Sequence, residues 1–498
     1  MNINRFILKA KTIPSTAVFF LLIAPFVVVF YAIYVFNPAK SDNVFLYSLL
    51  VLGDFIGMLA IMGLWITIFM DIVIPEHHDK TAAPIDGKAF LAKRPTVDVF
   101  ITTYGEPLEI IEETLKNAVA ARYKHNTFIL DDKGQEEVKK LAERYGAFYI
   151  SRGFNEYAKA GNINHGLSYS KADFFIVLDA DQSPMPEIIE ELLPYMSDER
   201  VAMVQSPQAF RNTDKFIPAG TAQAQEIFYK YVQPAKNVAN SAFCVGTNMM
   251  YRRSAIDGIG GIKKISHSED IWTTLHLHEA GWKTIFINKT LALGLAPDSI
   301  NGYFNQQLRW AKGGLGMLFE NNPLFSAKLN FDQKIQYFLS NSFFLVGIPI
   351  FLYIIFPILY LLFEIKPLVT SFDWFLHYIP YLFLYYFLSW LFLSKISIAN
   401  ISVSIASYYP YLLALFSVIL EKDHKWQATN SLFKKFGGNM KWIWSHLLIV
   451  FLTLAALFVG WYSPSDIWLT VFNSILALWN LYLIYLFITG ERRVMKIA

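Results

Sequence analysis

The stretch DFFIVLDADQSP, residues 173–184, decides how this chain is read. Five apolar residues in a row run into Asp179 and Asp181 and then into a Ser-Pro turn. A short apolar run bounded by a turn reads as a strand buried on both faces. Carboxylates at the end of such a strand lose hydration unless something pairs with them. In extended backbone, residues i and i+2 point the same way, so Asp179 and Asp181 can address one ligand. Hard oxygen donors in small number suit Mg²⁺ or Mn²⁺ shared with a phosphate-bearing molecule.

Working outward, four more runs read as buried strands: VDVFITTY (97–104), NTFILDD (126–132), AFYIS (147–151) and VAMVQSP (201–207). PLEIIEETLKNAVAA (107–121) and QEEVKKLAERYG (135–146) carry helical periodicity between them. Alternating strands and helices predict a mainly parallel sheet with ligands at the carboxyl ends of its strands. Two further acidic pairs fit that placement. Asp131 and Asp132 close the NTFILDD strand, and Glu269 and Asp270 sit in ISHSEDIW. Aspartate is common in turns for backbone reasons alone. Two acidic pairs that each close an apolar strand, with a third downstream, favour a ligand. A phosphate also needs cations, and there is no GxxxxGK[ST] loop. EYAKAGNINHGL (156–167) offers Lys159, Asn162, Asn164 and His165 between two strands; its alternative reading is a solvated loop leading into a helix capped by Asn162.

The composition belongs to a membrane protein. Of 498 residues 54% are hydrophobic, with 43 Phe, 27 Tyr and 12 Trp, and mean hydropathy is +0.34. A net charge of +3 argues against a nucleic-acid partner. Cys244 stands alone, which excludes a disulfide framework and a cysteine-based zinc site. About 20 apolar residues cross a bilayer. Candidate spans are Ala17–Phe36, Val44–Met70, Tyr337–Phe363, Trp374–Ser394, Trp442–Tyr462 and Ile467–Thr489. The N-terminal run lacks a small-residue cleavage site and reads as a retained span. Arg5, Lys9, Lys11, Lys422, Lys425, Lys434, Lys435, Lys441, Arg492, Arg493 and Lys496 fall on what six crossings make the cytoplasmic side. The loops 37–43, 364–373 and 463–466, poor in basic residues, fall outside. A seventh apolar run, Ile396–Leu420, would reverse the C-terminal charges and is expected to lie in the interface.

DVFITTYGEP, LDDK, AKAGNINHGL, LDADQSP, FCVGTN, SED and QQLRW occur in that order. The set resembles the processive family 2 glycosyltransferases, most closely the catalytic subunits of bacterial cellulose synthases, from about residue 95 to 365 and more weakly beyond. The resemblance implies a GT-A fold, a Rossmann-like mixed α/β sheet, inserted in a helical bundle of about six spans. Domains would run 1–74 (two spans), 75–303 (GT-A), 304–336 (amphipathic interface), 337–394 (two spans), 395–441 (interface helix and gating-like loop) and 442–498 (two spans and a tail). Thr103, Tyr104, Glu106 and Asp132, with Asp131 beside it, would hold the uridine nucleotide. Lys159 would reach the diphosphate. Asp179 and Asp181 would serve nucleotide and metal, Mg²⁺ or Mn²⁺, and Asp270, with Glu269, would be the catalytic base. Gln306, Arg309 and Trp310 match Gln-x-x-Arg-Trp. Phe243, Cys244, Gly246 and Thr247 match the acceptor motif, with Trp310 stacking on the sugar.

This chain departs from the family pattern at several positions. Ser268 stands where the family has threonine, Gln182 where a histidine is common, and Val245 is inserted in the acceptor motif. Trp426–Thr429 is a loose counterpart of the gating loop. After the last span only ERRVMKIA remains, so no cyclic-di-GMP-binding domain is expected.

The implied function is polymerisation of glucose from UDP-glucose into a β-glucan, cellulose-like or of another linkage, extruded through the protein's own spans. Tyr337, Asn341 and Trp390 are candidate channel residues. The implied location is a bacterial plasma membrane, with the catalytic domain cytoplasmic. Beyond the UDP-sugar, the growing polysaccharide and the bilayer, accessory export subunits or a homo-oligomer are expected partners. The alternatives are a hyaluronan- or chitin-type synthase, a non-processive transferase to a lipid carrier, and a transporter with a degenerate domain.

Overall fold

The computed structural model describes residues 15–495 except 74–86, 154, 266–267, 370, 394, 421–439 and 463. Two apolar helices come first, α1 (Ser15–Val35) and α2 (Val44–Val73). A sheet domain follows. Its chain order is β1 (Val97–Thr103), α3 (Leu108–Val119), β2 (Asn126–Asp131), α4 (Glu136–Tyr145), β3 (Phe148–Ser151), α5 (Ala158–Leu167), β4 (Phe174–Asp179) and β5 (Val201–Gln205). Then come α6 (Phe216–Ile227), β6 (Met249–Arg252), α7 (Glu269–Glu279), β7 (Lys283–Phe286) and the long α8 (Ile300–Glu320). The remaining helices are α9 (Phe331–Ser342), α10 (Gly347–Phe363), α11 (Ser371–Leu393), α12 (Ile398–Ala406), α13 (Tyr408–Ile419), α14 (Met440–Tyr462) and α15 (Ile467–Ile488).

All five strands expected from sequence are present. The sheet order is β3-β2-β1-β4-β6-β5-β7, parallel except for β6, which runs antiparallel to both neighbours. Alternation of side chains along each strand separates two cores. Val99, Ile101, Ile129, Ile176 and Leu178 pack with Ile111, Leu115, Val138 and Leu141 of α3 and α4. Phe100, Phe128, Leu130, Phe175 and Val177 pack with Ile163, Leu167 and Leu277 of α5 and α7. Burial on both faces explains why the strands read as unbroken apolar runs.

Seven helical segments among the described residues are long and apolar enough to cross a membrane, one more than the six expected. The extra one is Ile398–Ile419, which is two helices, α12 and α13, rather than one. Loop contacts decide its place. On the side away from the sheet domain, the loops after α1, α10 and α14 meet: Asp42 N donates to Pro367 O at 3.1 Å, Val369 N to Lys40 O at 2.9 Å, and Ser465 N to Glu364 Oε1 at 2.9 Å. On the sheet-domain side, Ser397 N donates to Gln223 Oε1 at 2.7 Å, and Trp442 Nε1 to Asn301 Oδ1 at 2.7 Å. α12–α13 therefore leaves and rejoins the same side. α12 packs on α6 and α13 packs along α8. The segment after α15 also returns to the sheet domain, with Phe216 N on Arg493 O at 3.1 Å and Met495 N on Asp214 O at 2.7 Å. An even number of crossings, four, thus separates α8 from that segment.

Two boundaries shift. The third span begins at Phe331, six residues before the expected Tyr337, because Asn330 and Gln333 close a capping box there. The amphipathic interface expected to open at 304 begins four residues earlier, at Ile300 of α8, where Ser299 Oγ accepts from Gly302 N at 3.1 Å. Lys312 on that helix is buried rather than placed at a surface.

Candidate active site

The site lies along the carboxyl ends of β1, β2 and β4. After β1, Glu106 Oε2 accepts from Thr103 Oγ1 and from Tyr104 N, both at 2.7 Å. This closes the turn, and burial raises the Glu106 carboxyl above its ordinary range. Next to it, Asp132 takes the guanidinium of Arg152 at two points, Nε on Oδ1 at 2.5 Å and Nη2 on Oδ2 at 2.8 Å. Both side chains are buried. Burial raises the Asp132 carboxyl, and Arg152 opposes the shift. Asp131, expected beside the nucleotide, is committed elsewhere. Its oxygens accept from Lys133 N (2.9 Å), Gln135 N (2.6 Å) and Tyr149 Oη (2.9 Å), so it holds the loop after β2.

AKAGNINHGL is a helix from Ala158 onward, not a solvated loop. Asn162 does not cap it: it is buried in the second turn, with Nδ2 on Leu130 O at 2.8 Å. Asn164 exchanges two hydrogen bonds with Ile262, through O at 2.8 Å and N at 2.9 Å. The helix is led in by Tyr157 and Ala158, both at positive φ, whose flanking carbonyls are held by Arg152: Nη1 reaches Glu156 O and Nη2 reaches Ala158 O, each at 2.7 Å. Lys159 follows at once. Its ammonium donates to Asp179 Oδ1 and to Gly246 O (2.5 Å). Burial would lower its pKa, but Asp179, Glu269 and Asp270 together raise it.

At the end of β4 the chain turns through Ala180 and Asp181, with Gln182 N on Asp179 O at 3.0 Å, so strand alternation does not relate the two aspartates. Gln182 is buried, and its Oε1 accepts from Asn248 Nδ2 at 3.1 Å. Asp179 and Asp181 offer carboxylate oxygens, a donor set that suits Mg²⁺ or Mn²⁺. Among the described residues no group of three or more His, Cys, Asp or Glu could hold an ion by itself. The remaining ligands of such an ion would be phosphate oxygens and water.

The acceptor motif bends through Gly246, at φ +89°. Sequence reasoning missed the residues that fix it. Gln205, at the end of β5, accepts from Val245 N at 3.1 Å and donates to Thr247 O at 2.8 Å; Thr274 Oγ1 accepts from Cys244 N at 3.0 Å. Neither belongs to a recognisable motif, and each acts through the backbone. A Cβ on Gly246 would lie 3.1 Å from Asp270 Oδ2, so the loop runs against the candidate base. Burial, then repulsion from Glu269, pushes the Asp270 carboxyl up to about 7. Ser268 ends in the space a Cβ would need at Gly313, which brings α8 directly onto the Ser-Glu-Asp turn. α8 also carries Gln306, whose Oε1 is buried with no hydrogen-bond partner, and the half-buried Arg309 and Trp310.

A cavity of about 620 Å³ starts here. Ser268, Asp270, Phe243, Cys244, Val245 and Trp310 line one end, and it continues between the membrane helices past Gln336, Asn341 and Tyr385 to Asp54 and Tyr353. Asn341 lines it as expected, but Tyr337 and Trp390 do not. Tyr337 Oη instead pairs with His278 Nδ1 at 2.8 Å, and Trp390 is exposed on the outside of the bundle. The buried Lys236 also lines the cavity. Its ammonium donates to Gln336 O (3.1 Å) and Gln336 Oε1 (3.0 Å), and burial lowers its pKa to about 7. Trp426–Thr429 lies outside the described residues.

Residues 98–260 match the glycosyl transferase family 2 model and residues 259–412 match the cellulose synthase model. The chain is 31% identical over 312 residues to the cellulose synthase 1 catalytic subunit (UDP-forming) of Komagataeibacter xylinus, across 61% of this chain and 41% of that one. It is 32% identical over 278 residues to the cellulose synthase catalytic subunit (UDP-forming) of Pseudomonas fluorescens (strain SBW25), across 54% of this chain and 38% of that one. It thus spans about two fifths of the length of these relatives. Among solved structures it is similar to the mannosyltransferase PcManGT from Pyrobaculum calidifontis in complex with GDP-Man and Mn²⁺, at a TM-score of 0.48 and 14% identity, covering 72% of this chain and 100% of that one. The two family matches meet without a gap across the sheet domain, α8 and the helices that follow, so the chain carries a glycosyl transferase family 2 region that runs directly into a cellulose synthase region.

Proposed function

We propose that this protein is a processive, inverting membrane glycosyltransferase. It polymerises glucose from UDP-glucose into a β-glucan and passes the product between its own helices. The sheet domain faces the cytoplasm of a bacterial cell. The observation that carries this reading is the continuous cavity from Asp270 and Trp310 into the helix bundle.

The nucleotide lies over the turns after β1 and β2, with Asp132 held in place by Arg152. Lys159 moves from Asp179 to the diphosphate, and Arg309 closes on it from α8, whose guanidinium fork suits phosphate. Asp179 and Asp181 would hold a divalent cation, which when bound would supply positive charge against the leaving diphosphate. The acceptor sugar rests on Trp310, with its hydroxyl toward Asp270. Asp270 accepts that proton as the hydroxyl attacks the anomeric carbon, and a base poised near neutrality suits the task. Gln306 Oε1, unpartnered and buried, is available to a sugar hydroxyl.

Purified protein given UDP-glucose with Mg²⁺ or Mn²⁺ is expected to form long polymer and to release UDP in step with it. Release of UDP with only a monosaccharide–lipid product would refute processivity. Linkage analysis of the polymer identifies the glucan.

A further inference from the structure

The cavity does not run the full length of the bundle. Its outermost wall residues are Gly53 and Asp54 on α2, Tyr353 on α10 and Tyr378 on α11. Beyond them roughly 10–15 Å of each helix remains, at 1.5 Å per residue. The closed end is built around one carboxylate inside the membrane. Asp54 is buried, its Oδ2 accepts from Tyr31 Oη at 2.8 Å, and its Oδ1 accepts from Tyr353 Oη. Trp374 Nε1 donates to Tyr31 Oη at 3.0 Å, and its ring stacks on Tyr378 with centroids 4.5 Å apart. Four helices thus meet at this layer. On the far side, Lys40 Nζ pairs with Asp373 Oδ2 at 2.8 Å across the joined loops.

A carboxylate within a membrane bundle is costly and is kept for a purpose. A purely structural role would leave it sealed between helices, yet Asp54 and Tyr353 both face the cavity. We propose that Asp54, with Tyr31 and Tyr353, forms a gate that recognises saccharide hydroxyls. The gate is shut while the two phenols occupy the carboxylate. It opens when adjacent hydroxyls of an arriving neutral sugar ring take their place. A sugar hydroxyl offers the same O–H donor as a phenol, and one carboxylate can accept two of them. The exchange conserves the number of hydrogen bonds on the carboxylate, and the displaced phenols donate instead to oxygens of the sugar, so an incoming chain opens the layer while a solute without two hydroxyls held on adjacent atoms leaves it closed. Tyr378 and Tyr381, which line the cavity next to the layer, present ring faces to the sugar.

The proposal rests on reading the cavity as a saccharide passage, and the test separates the two. Wild-type, Asp54→Asn and Tyr353→Phe proteins are reconstituted in liposomes. Three readouts are taken: efflux of trapped glycine, which has no hydroxyl to offer the gate, without donor; UDP release in the first turnovers; and product length at steady state. Both variants keep side-chain shape, and UDP binding checks their folding. Wild-type vesicles are expected to hold glycine, and both variants to leak several-fold faster. Asp54→Asn is expected to shorten the polymer several-fold with first-turnover UDP release unchanged. Tight vesicles in both variants, unchanged length in Asp54→Asn, or loss of its first-turnover UDP release would overturn the gate. If Asp54→Asn fails to bind UDP, efflux through Tyr353→Phe decides alone. A wild type that makes no polymer refutes the proposed function, while the efflux comparison still decides the gate.

Discussion

Asp132 and Arg152 form a buried two-point ion pair, and the same guanidinium holds the carbonyls of Glu156 and Ala158 that flank the turn into Lys159. On the proposed roles of Asp132 and Lys159, nucleotide and diphosphate recognition would share one support. Arg152→Ala leaves a buried charge alone and is expected to cost about 3–5 kcal/mol, read as a lowered melting temperature. The double variant Arg152→Met with Asp132→Leu is expected to recover most of that stability, because an apolar pair can replace a buried ion pair, and still fail to bind UDP by calorimetry.

Asp270→Asn keeps the shape of the base and removes its proton affinity. It is expected to bind UDP normally and to lose about 10²–10⁴-fold in transfer rate. Polymer synthesis at the wild-type rate would exclude Asp270 as the base.

The raised Asp270 carboxyl sets a pH dependence. Transfer needs the ionised form, so kcat/KM is expected to rise about tenfold per pH unit up to about 7 and level off above it. Repulsion from Glu269 contributes to the shift, so Glu269→Gln is expected to move the midpoint to lower pH. For stability, the folded protein binds this proton more tightly than the unfolded chain. The contribution is therefore present in acid and lost as pH rises through 7. A midpoint unmoved in Glu269→Gln would show that burial alone sets it.

Gly313 lets α8 rest on Ser268. A methyl there meets the serine side chain, and Gly313→Ala is expected to cost about 1–3 kcal/mol and to displace Trp310 from the acceptor. The neighbouring Gly316→Ala, whose Cβ would come no nearer than 3.6 Å to Glu320, is the control and is expected to keep activity. Loss of transfer in Gly313→Ala but not in Gly316→Ala, measured as UDP release, checks the close approach.

Much of this was legible in the sequence. Four of the five strands declared themselves because burial on both faces leaves little room for polar residues, while the edge strand β3, half exposed, showed only as a short apolar run, and the ordered acids pointed to the site. The antiparallel β6 did not, because MMYR is too short to carry a period. Asp131 could not be told from Asp132, since adjacent aspartates differ only in which neighbour they meet after folding. Arg152 was invisible for the same reason: its partner lies 20 residues away and nothing local marks the pair. Six crossings are what the charge pattern predicts; seven helical segments are long and apolar enough to cross, and the contacts of Gln223 and Asn301 bring both ends of the extra one, α12–α13, back to the sheet domain.

The segment after α15 has a consequence for biosynthesis. Ile300 N, at the start of α8, donates to Glu491 Oε1 at 2.6 Å, and Phe216 N pairs with Arg493 O. These partners leave the ribosome about 190 residues after the start of α8. Until they arrive, the helix that carries Arg309 and Trp310 lacks its anchor. The sheet domain is thus complete in the nascent chain before the contacts that tie the start of α8 to the end of the chain can form.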